Sequence, residues 1–139
     1  MAHFPLNHRL RQTYRFVAAI AGLYLLAAGV IGISQTAGDP FFDRAGGAWS
    51  LGLRVNPAGA WLLVLLGVVV LGGAVIGGNL HHHLSMVAGW GLLGIAAILL
   101  AVMQTDANVL HASMINVVVL ILAGLAVLTA GLYGKLETA

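Results

Sequence analysis

Four long apolar stretches without a single ionisable residue constrain this chain more than any other feature. They run about Phe16–Ile33, Ala60–Gly77, Leu84–Val102 and Ala112–Tyr133, and no Asp, Glu, Lys, Arg or His falls inside them. A helix needs about 20 such residues to cross a hydrocarbon layer roughly 30 Å thick, at about 1.5 Å of rise each. All sixteen ionisable side chains are thereby left to the tails and connections. Only 7% of the 139 residues carry a formal charge, whereas a soluble domain carries about a quarter, so water has too little polar surface to meet. The mean hydropathy of +1.00 agrees. The expected fold is all-α: a four-helix transmembrane bundle over residues 16–134, between a basic tail (1–15) and a short tail (135–139).

The same arithmetic excludes several functions. A net charge of +2 is no basic patch, and the pI of about 9.5 reflects few charges, so no nucleic acid is expected as a partner. Zero cysteines remove disulfides, zinc ribbons, iron–sulfur ligation and thiol catalysis. No paired carboxylates, Ser-His-Asp set, phosphate loop or HExxH motif occurs, so no enzyme is expected. Intramembrane ionisable groups mark proton relays and ion paths, and here there are none. Polar groups at depth reduce to Tyr24, Asn116, Thr129 and edge residues such as Ser113. Asn116 should seek an interhelical partner; alternatively, with Tyr24, it would line a cavity whose outer mouth His111 guards.

Orientation follows from Lys and Arg. The tails hold Arg9, Arg11, Arg15 and Lys135; the opposite side holds Arg44 and Arg54, balanced by Asp39, Asp43 and Asp106. That places both termini in the cytoplasm of a plasma-membrane protein. Tyr14, Trp61 and Tyr133 stand at span ends, where amphipathic rings suit the headgroup layer. The first span is too long for a secretory h-region and lacks a clean cleavage site, so a retained signal-anchor is expected.

The connections are unequal. Ser34–Gly59 forms an outer loop with the turn formers Asp39-Pro40, Gly46-Gly47 and Asn56-Pro57. Its Phe41, Phe42 and Trp49 either rest at the lipid interface or plug the top of the bundle, or they form a partner-docking surface. The other connections are a turn through Leu80–His83 and a stretch of about nine residues before the fourth span. A weak duplication links Ala21–Leu26 with Ala88–Leu93 at an offset of 67, and Asn56-Pro57 with Asn108-Val109 at 52. It suggests two tandem helical hairpins, a parallel repeat of the kind found in transporters. Helices in lipid associate through small residues. Gly73/Gly77, Ala28/Gly32, Ala18/Gly22 and Ala126/Ala130 supply them, and Gly73 and Gly77 are candidate contacts inside the bundle or with a partner.

Six histidines are the candidate ligands. His3 and His8 lie in the tail, His81, His82 and His83 in the second connection, and His111 before the fourth span. A span of about 19 residues puts roughly 28 Å between the triple histidine and His111, so one haem or metal ion cannot use both. His81–His83 could meet a surface metal with His3 or His8, but consecutive residues on a turn diverge, and no cofactor is expected.

With two tandem hairpins, Gly52-Leu53-Arg54-Val55-Asn56-Pro57 before the second span and Asn108-Val109-Leu110-His111 before the fourth, the chain resembles a family of small four-span bacterial membrane proteins. That family is common in actinobacteria and is classed as a domain of unknown function. The resemblance covers about Phe16 to Gly134. The family's pattern is Asn-Pro-x-His; here Gly59 stands at the histidine position and only His111 keeps it. The resemblance implies architecture and membrane location, not an activity. The expected role is an accessory or stabilising subunit of a larger membrane complex. Two alternatives are a homo-oligomeric ligand-binding or channel-like protein, and a histidine-based metal or haem protein.

Overall fold

The computed structural model describes residues 6–137. Four helices, α1 (Arg11–Gln35), α2 (Pro57–Ile76), α3 (Gly78–Val102) and α4 (Met114–Leu132), form a bundle. A two-stranded antiparallel sheet of β1 (Ala48–Ser50) and β2 (Leu53–Val55) interrupts the loop between α1 and α2. All four helices are long and apolar enough to cross a membrane. They present large apolar side chains outward, among them Phe16, Leu65, Val87 and Leu122, each more than 60% exposed. Such a surface is stable against lipid rather than water, and the chain is an integral membrane protein.

Local chemistry sets the helix ends. At the end of α1 the Thr36 amide and hydroxyl both donate to the Gly32 carbonyl, at 3.0 and 2.8 Å. At the start of α2 the Asn56 side chain accepts from the Gly59 amide at 2.8 Å, with Pro57 in the first turn, where its missing N–H costs nothing. Between α2 and α3 the chain reverses within one residue. Gly77 and Gly78 both have positive φ (79° and 60°), a region that side chains disfavour. This corrects the expected turn through Leu80–His83: the glycine pair makes the reversal, and the three histidines are helical, in the first turns of α3.

The helices pair as two hairpins. The main seams are α1 with α2 and α3 with α4, while α2–α3 and α1–α4 contacts close the ring. Glycines set the seams. A Cβ at Gly22 would meet the Leu71 backbone nitrogen at 2.7 Å, and one at Gly89 would meet the Leu128 Cα at the same distance. Gly67 lies against the Leu26 backbone, and Gly124 against Leu92 and Leu93. Gly22 and Gly89 are 67 residues apart, whereas Gly67 and Gly124 are 57 apart. The matching of Asn56 with Asn108 at 52 is therefore corrected. At an offset of 57 the N-cap Asn56 corresponds to Ser113, the N-cap of α4, because residues 108–112 coil in the connection before that helix.

Candidate functional site

The polar residues gather at two ends. At the loop end, β1 and β2 meet through a two-residue turn, Leu51 (φ 48°) and Gly52 (φ 89°). This hairpin lies against α1 and α4 and reaches down beside α1. The Ser50 hydroxyl donates to the Ala28 carbonyl at 2.5 Å, and the Tyr24 hydroxyl to the Leu51 carbonyl at 2.8 Å. Ala28 is seven residues before the end of α1, so the tip sits about 10 Å below that end. Ser50, Leu53 and Val55 face inward and are essentially buried, while Trp49 and Leu51 stay half exposed.

Non-helical backbone at membrane depth needs partners supplied by protein. Trp49 and Arg54 are directly opposite but do not bond each other through their backbones, so the N–H and C=O of Arg54 point away from β1. The Asn116 amide takes both: it accepts from the Arg54 N–H at 2.9 Å and donates to the Arg54 carbonyl at 2.7 Å. The expected interhelical partner of Asn116 is corrected to this strand edge. Tyr24 is likewise spent on the hairpin rather than lining a cavity.

Asn56 joins three segments. It caps α2 and donates from Nδ2 to the carbonyls of Asp43 (3.0 Å) and Val109 (2.8 Å), fully buried. Asn108 closes its own loop, bonding the carbonyls of Met103 and Ala112 and the amide of Ala112. His111 is 7% exposed with φ 55°, and its ring packs on Gly47, where a Cβ would come within 2.9 Å of Cδ2. The His111 Nε2 is buried with no hydrogen bond of good geometry, although the Gly46 carbonyl and the Asp43 carboxylate draw on the ring. Burial first, then the Arg54 guanidinium, holds its pKa below the ordinary value of 6.5. His111 is a packed wall residue of an open polar groove of about 650 Å³ that Arg44, Arg54, Asp106 and Asn108 also line. Arg44 meets the Asp106 carbonyl and carboxylate across its rim.

Phe41 and Phe42 stack edge to face at 4.8 Å on the outside of this end, 52% and 54% exposed, with Trp49 at 59%. Gly73 and Gly77 are buried inside the molecule, against Leu84 and the Arg15 guanidinium respectively, and offer no outer surface.

At the tail end the Asn7 amide donates to the Lys135 carbonyl at 3.0 Å, and the Asn79 amide pairs with both backbone groups of Leu136. His8, Tyr14 and Tyr133 cluster with ring centroids 4.9–5.9 Å apart. The His82 and His83 rings meet edge to face at 5.0 Å rather than diverging, and each histidine of the triplet turns its Nδ1 to a different partner. His81 Nδ1 meets the Ser85 hydroxyl at 3.1 Å, His82 Nδ1 the Gly131 carbonyl at 2.7 Å, and His83 Nδ1 the Asn79 carbonyl at 2.7 Å. His3 lies outside the described residues, and among the described residues no group of three or more His, Cys, Asp or Glu could hold a metal ion.

The role of Ser50, Asn79 and the hairpin was missed from sequence. Leu51-Gly52 between alternating apolar residues was the available signal. Comparison with protein-family models, curated proteins and solved structures gives no match.

Proposed function

We propose that this chain is a non-enzymatic accessory subunit that stabilises a larger membrane assembly, docking a partner membrane subunit through Phe41, Phe42 and Trp49. The observation that carries this reading is the division of labour at the loop end. The polar side chains at depth, Tyr24, Ser50 and Asn116, are consumed in holding the hairpin, whereas three aromatic rings stay outside and more than half exposed. Exposed aromatics favour an interface, because Phe and Trp are enriched in the cores of protein contacts relative to the rest of the surface.

The channel-like alternative has less behind it, since Tyr24 and Asn116 are satisfied by backbone and the seams are closed by glycine contacts. A shared haem or metal between the two ends has none: α3 alone separates His83 from the loop end by roughly 28 Å. The four Lys and Arg of the tails support cytoplasmic termini in the plasma membrane.

Gentle-detergent purification of a tagged copy from its own host, followed by mass spectrometry, tests the proposal. Other membrane subunits should co-purify in fixed stoichiometry, and Phe41→Ser with Phe42→Ser should release them. A discrete homo-oligomer free of other subunits overturns the accessory reading.

A further inference from the structure

The tail end carries a basic socket joined to an apolar groove. The socket, a cavity of about 30 Å³, is walled by Arg11, Gln12, Arg15 and His81 and by the start of α3 at Gly78. Arg15 is held there by its bonds to the carbonyls of Ala74 and Val75 at the end of α2. The Arg11 guanidinium has no partner among the described residues, and no carboxylate lines the wall. The start of α3 has no side-chain cap, and the positive end of its helix dipole adds to the potential there.

On the other side of Arg15 the groove runs between α1 and α2, about 210 Å³, walled by Phe16, Ala19, Ala74 and Val75. It shares Gln12 and Arg15 with the socket. Phe16 and Val75 are 66% and 68% exposed at its edges, so it opens toward the surrounding lipid. The height fits a headgroup: Arg11 and Arg15 come directly before the apolar run that begins at Phe16. Basic pockets between spanning helices at that level select anionic headgroups.

From this juxtaposition we propose that the tail end binds one anionic phospholipid, its phosphate in the Arg11/Arg15 socket and an acyl chain along the α1/α2 groove. Two guanidinium charges, that of Arg15 already anchored on backbone carbonyls, with no carboxylate among the described lining residues, favour a net negative lipid over a zwitterionic one. The inference needs only membrane placement, and it concerns the opposite end from the docking patch.

The test uses the full chain in a neutral detergent, titrated with phosphatidylglycerol, phosphatidylcholine or inorganic phosphate, and read by native mass spectrometry and melting temperature. Phosphatidylglycerol should bind about fivefold or more tightly than phosphatidylcholine, the contribution of about one arginine at a membrane surface. Arg11→Gln, which breaks no side-chain bond of the fold, should erase that preference. Val75→Trp on the exposed wall should weaken both lipids. Equal binding of the two lipids overturns the proposal, as does a preference that survives Arg11→Gln or lipid binding untouched by Val75→Trp. Inorganic phosphate alone reproducing the rise in melting temperature would reassign the socket to a free anion and overturn the lipid assignment.

Discussion

Two asparagines solve the same problem at opposite ends of the bundle. Asn116 closes on the N–H and C=O of Arg54, and Asn79 on those of Leu136, so each primary amide stands in for a neighbouring strand. At Asn116 the satisfied edge lies among apolar helices, where an orphaned polar group costs about 1–3 kcal/mol. Asn116→Leu should therefore lower unfolding stability in detergent by about that amount, and no rescue is expected from Gln, whose longer stem misplaces the amide. His111 gives a pH dependence. Its folded pKa lies below 6.5, with Arg54 and Asp43 as the facing charges. The stability from the neutral ring is complete above the unfolded value and is lost as pH falls through it toward the folded one. Melting curves between pH 7.5 and 5.5 should show a loss on acidification that is smaller in His111→Gln. An identical loss in both would assign the effect to other groups.

At the scale of elements, the glycines separate into two kinds that sequence alone does not distinguish. Gly22 and Gly89 press on the backbone of the paired helix, whereas a Cβ at Gly94 would meet nothing within 4 Å. Gly22→Ala and Gly89→Ala should each destabilise by about 1–3 kcal/mol, since the seam must open to admit a methyl. Gly94→Ala should be neutral or stabilising by up to about 1 kcal/mol, because alanine is the better helix former. Thermal unfolding of the three variants decides between seam packing and general helix propensity. The four helices were legible because twenty-residue apolar runs have few alternatives. The first-hairpin echo was legible too, since Gly22 and Gly89 occupy the same place in their seams. The β-hairpin was not, because three-residue strands among turn formers carry little periodicity. Nor was the helical state of His81–His83: polar residues beside an apolar run read as a connection, and only the positive φ of Gly77 and Gly78 places the turn earlier.

Across the whole molecule the two hairpins keep equivalent closures. Arg15 donates to the Ala74 carbonyl, and His82, 67 residues later, meets the Gly131 carbonyl, 57 residues after Ala74. The halves diverge at the loop end, where the connection before α2 has room for a descending hairpin and that before α4 does not. Four spanning helices bring the described tail residues Asn7 and Lys135 together at one end of the bundle, and which side of the membrane that end faces depends on charge. Four Lys and Arg at the tail end stand against Arg44 and Arg54 at the other, so the tails should remain in the cytoplasm. A chain without cysteine makes this directly measurable. Ala45→Cys and Glu137→Cys are exposed at opposite ends, and a membrane-impermeant maleimide on intact cells should label only the first. Replacing Arg9 and Arg11 with Gln leaves two basic residues at each end, and if charge sets the orientation, both cysteines should then label in part. Exclusive labelling of Glu137→Cys in the parent chain would invert the topology, and an unchanged pattern after the double substitution would remove charge as its cause.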